Sequence, residues 1–280
     1  MGVCRFASSP GELRPFTSPQ AHPPRLTNVG NQTNSQRLAR WWGFARSVVV
    51  YLNPLILRAW RRFYRTLLAP GDVVIDVGAH AGTRARAMRS LGAKVIALEP
   101  QRPFAGFLRA TLPKDIVFIE AAAGSSVTTG QLAVSSRHPT VSSLRTDFVS
   151  GAASVAGFEQ VSWNESQEVS VVTLDSVIAQ HGTPRYIKID VEGFEEEVLA
   201  GLSGAVDMIS VEFLPGFPQI SLVLVDRLME LGNYRFNPVV GETGQFLWDE
   251  WWDATATKGW LRSLSPESDS GDLFARLHEV

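Results

Sequence analysis

The residues with the clearest chemical meaning are an acid and two glycines around the end of an apolar strand. Residues 73–77 read Val-Val-Ile-Asp-Val, and Gly78 and Gly82 follow before a predicted helix. Ligands of open α/β sheets bind at the carboxyl ends of the strands, and glycine lets the backbone turn sharply or approach a ligand closely. Asp76 would repel the pyrophosphate of a dinucleotide, whose Gly-x-Gly-x-x-Gly turn is absent here. The same carboxylate would attract a ligand with an ammonium group, such as S-adenosylmethionine.

A second acid, Glu99, follows the predicted strand 94–98 and precedes Pro100. Glu99 lies 23 residues after Asp76, the position from which an acid reaches the two hydroxyls of a ribose. This feature is shared by NAD and S-adenosylmethionine proteins, so it locates a nucleoside without identifying it. Small residues at 121–124 would leave a flat slot for an adenine ring.

The candidates for proton transfer follow the predicted strand 186–189. Asp190 ends this strand, which we expect beside the first one, and Glu192 lies on the next turn. Because a hydroxyl is a poor nucleophile until its proton is accepted, we predict Asp190 as the base or as the group that orients the acceptor. Glu192 is the second candidate. His80 is the rival base, since an ordinary imidazole has a pKa of about 6.5.

Strands alternate with helices from residue 71 onward, which predicts an α/β fold with a mainly parallel sheet and helices on both faces. Residues 126–172 break the alternation and predict an inserted antiparallel hairpin or an irregular loop. Lys188 is interpreted as covering the sheet edge, and 195–197 as acids favoured by a helix N-terminus. The predicted strands are 73–77, 94–98, 116–119, 186–189, 208–213, 234–240 and 272–277, and the predicted helices are 55–68, 81–91, 103–112, 194–202 and 219–232.

The first 70 residues differ from the rest, and we divide the chain into a disordered tail (1–36), a helical extension (37–70) and a main domain (71–280). Nine arginines and no acids lie between Glu12 and Asp72. In the predicted helix, arginines face away from an apolar stripe, a pattern that also suits anionic lipid. We favour packing of this helix on the domain, with its arginines in water, and leave weak peripheral membrane contact through 41–68 open. The arginines are Arg58, Arg61, Arg62 and Arg65, and the stripe is Ile56, Trp60, Phe63 and Leu67.

Composition excludes several classes of protein. The chain has 280 residues, a formal charge of -2 and one cysteine, Cys4. One cysteine excludes an internal disulfide framework and a cysteine-built metal site, and the near-neutral charge argues against nucleic acid as the main partner. No histidines have ligand spacing, so we predict no dedicated metal site, although Asp190 and Glu192 could hold Mg²⁺ with substrate oxygens. We expect a cytoplasmic protein, with organelle targeting or peripheral membrane attachment as alternatives.

Several ordered motifs resemble the FkbM-type methyltransferases over about residues 70–280. They are Asp-Val-Gly-Ala at 76–79, Glu-Pro at 99–100, Thr-Leu-Asp-Ser at 173–176, Lys-Ile-Asp-Val-Glu-Gly-Phe-Glu at 188–195 and Ile-Ser-Val-Glu-Phe at 209–213. The resemblance implies a class I methyltransferase, Rossmann-like sheet of seven strands with the last one antiparallel, and S-adenosylmethionine as cofactor. This chain departs from the family pattern at His80, where Asn is usual, and at 123–125, where an Asp is common.

We therefore predict an S-adenosylmethionine-dependent methyltransferase, acting on a hydroxyl of a sugar, glycolipid or polyketide-like small molecule. That oxygen rather than nitrogen is methylated rests on the resemblance. The alternatives are an NAD(P)-type Rossmann oxidoreductase and a non-catalytic module that docks through the basic helix. Glu212 is expected to touch the acceptor or to pair with an arginine. The tryptophans at 248–260 suit the C–H face of a sugar acceptor, with core packing or a lid as the alternative. We assign the cofactor site to Asp76, Gly78, Ala79, His80, Gly82, Glu99, Pro100 and Ala122.

Overall fold

The computed structural model describes residues 27–28, 43–46, 48–135 and 165–278. A seven-stranded sheet runs through the centre of the main domain, in the order β10-β11-β9-β8-β2-β3-β4. Its strands are parallel except β11, which is antiparallel to both of its neighbours. The predicted fold class, with the last strand antiparallel, is therefore confirmed. The strands are β2 (Val73–Val77), β3 (Lys94–Leu98), β4 (Val117–Ile119), β8 (Tyr186–Ile189), β9 (Met208–Phe213), β10 (Tyr234–Val240) and β11 (Gly271–Leu277).

The helices that flank this sheet in the described ranges are labelled α1 to α7, and two of them were not predicted from the sequence. The unpredicted helices begin at residues whose side chains cap them: Thr173 accepts a hydrogen bond from the Ser176 N–H, and Asp253 accepts one from the Ala256 N–H. Such caps satisfy backbone donors that a helix start leaves free. The helices are α1 (Pro54–Tyr64), α2 (Thr83–Arg89), α3 (Phe104–Thr111), α4 (Leu174–His181), α5 (Glu195–Ala200), α6 (Pro218–Leu231) and α7 (Ala254–Ser263).

The insertion contains the antiparallel pair that the sequence predicts. β6 (Thr128–Val134) pairs antiparallel with β7 (Glu165–Val172), while the short strands β1 (Thr27–Asn28) and β5 (Ala122–Ala123) pair with β7 in parallel. The Gln167 side chain donates to the Pro100 carbonyl at 2.7 Å and accepts from the Arg102 N–H at 2.9 Å. The inserted pair is thus fastened to the loop that follows β3. Residues 136–164 lie outside the described ranges.

The apolar residues of the central strands supply a core on each face of the sheet. In β2, Ile75 and Val77 belong to one buried cluster, whereas Val74 belongs to the other. Successive side chains of a strand point to opposite faces, so one apolar strand serves both cores. The carboxyl ends of β2, β3 and β8 consequently meet at one edge, where polar residues begin.

Helix α1 packs into the second of these clusters. Trp60, Phe63 and Tyr64 are buried there with Phe274 of β11. The guanidinium of Arg84 lies 2.9 Å from the centre of the Trp60 ring, and the Trp60 Nε1–H donates to Glu242 at 2.5 Å. None of the described helices is long and apolar enough to cross a bilayer. Within the predicted tail at 1–36, only the two residues of β1 are described. Trp41 and Trp42 also lie outside the described residues.

We predict that Trp60→Ala lowers the free energy of unfolding by about 3–5 kcal/mol, because it removes a fully buried ring and leaves a cavity. Urea denaturation of the full chain measures this change. Arg62→Ala on the exposed side of the same helix is the matched control and should stay within about 0.5 kcal/mol of the unaltered chain. Equal small effects of both substitutions would show that α1 does not contribute to the core.

Candidate active site

An open cavity, with about 1030 Å³ of space when the adjoining open solvent is included, lies where β2, β3 and β8 end. Six of the residues assigned to the cofactor line it, namely Gly78, Ala79, His80, Glu99, Pro100 and Ala122. The catalytic candidates Asp190 and Glu192 line it as well.

The turn after β2 is held between its two neighbouring strands. Gly78 has φ of +77°, and a Cβ there would lie 1.9 Å from the Asp190 carbonyl oxygen, so a side chain cannot be accommodated. The N–H groups of Gly78 and Ala79 both donate to the Leu98 carbonyl at the end of β3. Gly82 does not line the cavity: its missing side chain instead makes room for Leu108 of α3. A contact between Gly82 and the cofactor stays a prediction.

Glu99 is fixed on the cavity wall by two backbone donors. Its Oε2 accepts the His80 N–H and its Oε1 accepts the Gln101 N–H, both at 2.8 Å. Burial raises the pKa of this carboxyl to about 7, although the two hydrogen bonds act in the opposite direction. Each carboxylate oxygen has a further lone pair, so the oriented group can still accept two hydroxyl donors. Nearby, the buried Nε2 of Gln101 has no partner among the described residues.

Asp76 lies behind the cavity wall rather than on it. Its side chain is fully buried and is absent from the cavity lining, and neither oxygen has a hydrogen-bond partner among the described residues. The Lys188 ammonium lies 3.8 Å from it and 2.9 Å from an oxygen of Asp190. A direct contact between Asp76 and a cofactor ammonium stays a prediction. Lys188 is 2% exposed, so its interpretation as a cover for the sheet edge is wrong.

The electrostatics of this buried group of charges depend on Lys188. Burial alone would lower the pKa of Lys188, but Asp190 and Asp76 raise it above the ordinary value, so the amine stays charged. Burial raises the pKa of Asp76, and Lys188 opposes this. Burial also acts to raise the pKa of Asp190, but the adjacent Lys188 outweighs it and lowers that pKa. Asp190 is thus a persistent carboxylate, suited to accept hydrogen bonds or to hold a cation.

His80 lines the cavity as a neutral imidazole. Burial lowers its pKa to about 4, well below the value that its interpretation as a base assumed. The ring lies 4.0 Å from Phe104 and 4.8 Å from Tyr51, centre to centre, and its Nε2 has no partner among the described residues. A base with such a low pKa accepts a proton poorly near neutral pH. His80 is better suited to packing and hydrogen bonding.

Asp190, Glu192 and Glu212 form a cluster of carboxylates whose oxygens lie within 4.8 Å of one another. Burial, with the nearby acids, raises the pKa of Glu192 and of Glu212 well above the ordinary value. Glu192 also has φ of +53°, an unfavourable conformation for a residue other than glycine. Such a cluster can bind a cation or exchange a proton.

Two features of this site were missed by sequence reasoning. Glu195 is 1% exposed and accepts the N–H groups of Val191 and Gly193, so it braces the turn that carries Glu192. Tyr51 and Ile56, from the N-terminal region, form part of the cavity wall. The tryptophans near the C-terminus lie elsewhere in the described structure: Trp248 stacks on Trp252 at 3.8 Å, and no tryptophan lines the cavity.

The sheet order, with a cavity at the carboxyl ends of its parallel strands, defines an α/β protein of the class I methyltransferase type. The sequence model of the methyltransferase FkbM domain matches residues 76–254. Since this match covers more than half of the chain, the protein belongs to the FkbM methyltransferase family. The resemblance predicted from the motifs is confirmed.

Comparison with solved structures finds methyltransferases at low identity and low TM-score. A TehB-like SAM-dependent methyltransferase from Corynebacterium glutamicum has a TM-score of 0.45 at 12% identity, with 89% of this chain and all (100%) of that chain covered. A precorrin-6y C5,15-methyltransferase from Geobacter metallireducens has a TM-score of 0.41 at 11% identity, with coverage of 81% and 90%. Magnesium protoporphyrin IX methyltransferase from Synechocystis, with bound SAM, gives 0.37 at 11%, with coverage of 89% and 86%. Comparison with curated proteins gives no match.

We predict that Lys188→Met lowers the free energy of unfolding by about 3–5 kcal/mol near neutral pH, because Asp76 and Asp190 lose their buried cation. The penalty should shrink as the pH falls, since a buried acid with a raised pKa becomes neutral first. Denaturation at several pH values measures both effects. Lys94→Met, at the exposed start of β3, is the control, and the Lys188→Met/Asp76→Asn double variant should recover part of the loss. A pH-independent penalty would contradict the ion-pair explanation.

Proposed function

We propose that this FkbM-family protein uses S-adenosylmethionine to methylate a hydroxyl group of a small molecule, with a sugar, glycolipid or polyketide-like compound as the acceptor class. The observation that carries the proposal is that one cavity has Glu99, an acid suited to bind a ribose, on one side and Asp190 and Glu192, acids suited to proton transfer, on the other. Glu99 follows β3, Asp190 follows β8, and β2 lies between these strands. Strands are about 4.8 Å apart, so the ends of β3 and β8 that carry these two acids are about 10 Å apart across the sheet edge.

The residues on the Glu99 side fit the nucleoside of the cofactor. The fixed Glu99 carboxylate suits a ribose diol, and the unpartnered Nε2–H of Gln101 is a free donor on the same wall. Ala121 and Ala122 provide the small surface expected beside an adenine ring. When bound, S-adenosylmethionine supplies a methyl group on a positively charged sulfur. Family membership favours this cofactor over NAD(P), as does the absence of the dinucleotide glycine pattern.

The residues on the Asp190 side fit an ammonium group and an acceptor hydroxyl. Asp190 keeps its charge beside Lys188, so it can hold the cofactor's ammonium or orient the acceptor. Glu192 has the raised pKa of a group that takes up a proton readily once it is ionised. We therefore reverse the sequence-based order: Glu192 accepts the hydroxyl proton and Asp190 orients. Asp76 then acts as a positioning residue through Lys188.

We predict that S-adenosylhomocysteine binds about tenfold more tightly at pH 8 than at pH 6. Glu99 has a pKa of about 7 and must be ionised to accept both ribose hydroxyls, so the competent fraction rises with pH. Titration calorimetry measures the two dissociation constants. Glu99→Gln should bind weakly and without this pH dependence, while Glu168→Gln, an exposed acid of β7, should behave like the unaltered protein. Tight binding of NAD, or equal affinity at both pH values, would argue against the proposal.

We predict that Glu192→Gln lowers methyl transfer by about 10²–10⁴-fold, the usual contribution of general-base catalysis, with little change in S-adenosylhomocysteine affinity. Turnover of the unaltered protein should rise with pH, because the base must lose its proton before it can act. The assay follows S-adenosylhomocysteine release with a panel of hydroxylated glycosides, and mass spectrometry identifies the methylated atom. Glu197→Gln on α5 is the control. Full turnover of Glu192→Gln would rule out its role, and an N-methylated product would rule out oxygen transfer.

A further inference from the structure

Three aliphatic side chains are exposed where the N-terminal region reaches the cavity. Val49 is 75% exposed, Val50 48% and Leu55 69%. Single exposed apolar residues are common on proteins, but several close together mark a contact surface. These three occur within seven residues and lie next to Tyr51 and Ile56, which line the cavity.

The same region carries a concentration of exposed positive charge. Arg46 and the α1 arginines Arg58, Arg61, Arg62 and Arg65 are all exposed, and none forms an ion pair with a described residue. Several exposed arginines on other faces of the domain differ: for example, Arg89 pairs with Asp115 and Arg185 with Asp207. The absence of acids between Glu12 and Asp72 means that no neighbour in the sequence offsets this charge. These exposed, unpaired arginines are therefore available to bind an anionic partner.

The apolar and basic residues are arranged together on α1. Leu55, Arg58 and Arg62 are spaced i, i+3 and i+7, which places them on one side of the helix, while the opposite side holds the buried Trp60 and Tyr64. A helix that presents both aliphatic and basic side chains to solvent can insert the former between lipid chains and contact headgroups with the latter. Nucleic acid would use the charge but would leave exposed aliphatic groups in water.

We propose that Arg46, Val49, Val50, Leu55, Arg58, Arg61, Arg62 and Arg65 form a docking surface for an anionic lipid bilayer. The protein would attach peripherally, with its cavity beside the lipid–water interface. An acceptor hydroxyl carried by a membrane lipid could then reach the cavity from the bound surface. This last consequence rests on the proposed function, whereas docking itself does not.

The test is co-sedimentation of the full chain with vesicles of phosphatidylcholine that contain about one-third phosphatidylserine. We expect binding to these vesicles, little to pure phosphatidylcholine, and loss of binding when the salt is raised from about 0.1 M to about 0.5 M. Each arginine near an anionic surface contributes about fivefold in affinity. Replacing Arg58, Arg61, Arg62 and Arg65 by Gln should therefore weaken binding by about 10²–10³-fold.

Two further variants make the result specific. The Val49→Ser/Leu55→Ser variant keeps every charge and should also weaken vesicle binding, which a purely electrostatic partner would not require. Replacing Arg89, Arg109, Arg185 and Arg262 by Gln removes the same charge from other faces and should leave binding close to the unaltered level. The proposal is overturned if the protein does not bind the vesicles, or if replacing the α1 arginines does not weaken binding. It is also overturned if the serine variant binds vesicles as well as the unaltered protein does and RNA displaces both equally. Binding of S-adenosylhomocysteine, measured by titration calorimetry, should persist in the variant that lacks the four α1 arginines, so failure of docking and failure of the methyltransferase proposal are distinguishable.

Discussion

The buried ammonium of Lys188 is the interaction on which the candidate site depends. It lies between the fully buried carboxylate of Asp76 on β2 and the carboxylate of Asp190, which follows the neighbouring strand β8. Two acids at the edge of adjacent parallel strands would repel each other strongly where water is excluded. With Lys188 between them, the edge can carry a dense set of acids and still pack against apolar cores on both faces.

This arrangement separates the acids into groups with different protonation. Asp190, in direct contact with Lys188, keeps a low pKa. Glu192 and Glu212 have raised pKa values because they are partly removed from water and lie next to that permanent charge. Carboxylates whose environments push their pKa values apart can divide the work of binding and proton transfer. Glu195 accepts hydrogen bonds from the backbone on both sides of Glu192, so the turn that positions the Glu192 carboxylate near Asp190 is fixed.

The sequence predicted the sheet well because its strands are apolar runs bounded by turn residues, and five of the seven have the predicted bounds. It identified Glu99 and Asp190 correctly as cavity residues, because both directly follow parallel strands. It could not show which side of the wall Asp76 occupies, since that depends on side-chain packing across the sheet rather than on spacing. Lys188 could have been interpreted better: a lysine within the apolar strand 186–189 lies too deep in a central strand to reach solvent without a partner. Thr173, a residue type that commonly caps helix N-termini, could likewise have predicted the start of α4.

The N-terminal helix is less separate from the catalytic domain than its composition suggests. The Arg84 guanidinium lies over Trp60 of α1 and also pairs with Asp272 of β11 at 3.2 Å and with Glu242 at 3.3 Å. Arg84 and Glu242 both line the cavity, and Trp60 itself donates to Glu242. The largely buried Arg84 therefore joins the helix that carries the exposed arginines to the cavity wall and to β11. Loss of this contact would leave the buried Asp272 carboxylate without its Arg84 partner, so charge pairing as well as apolar packing connects α1 to the domain.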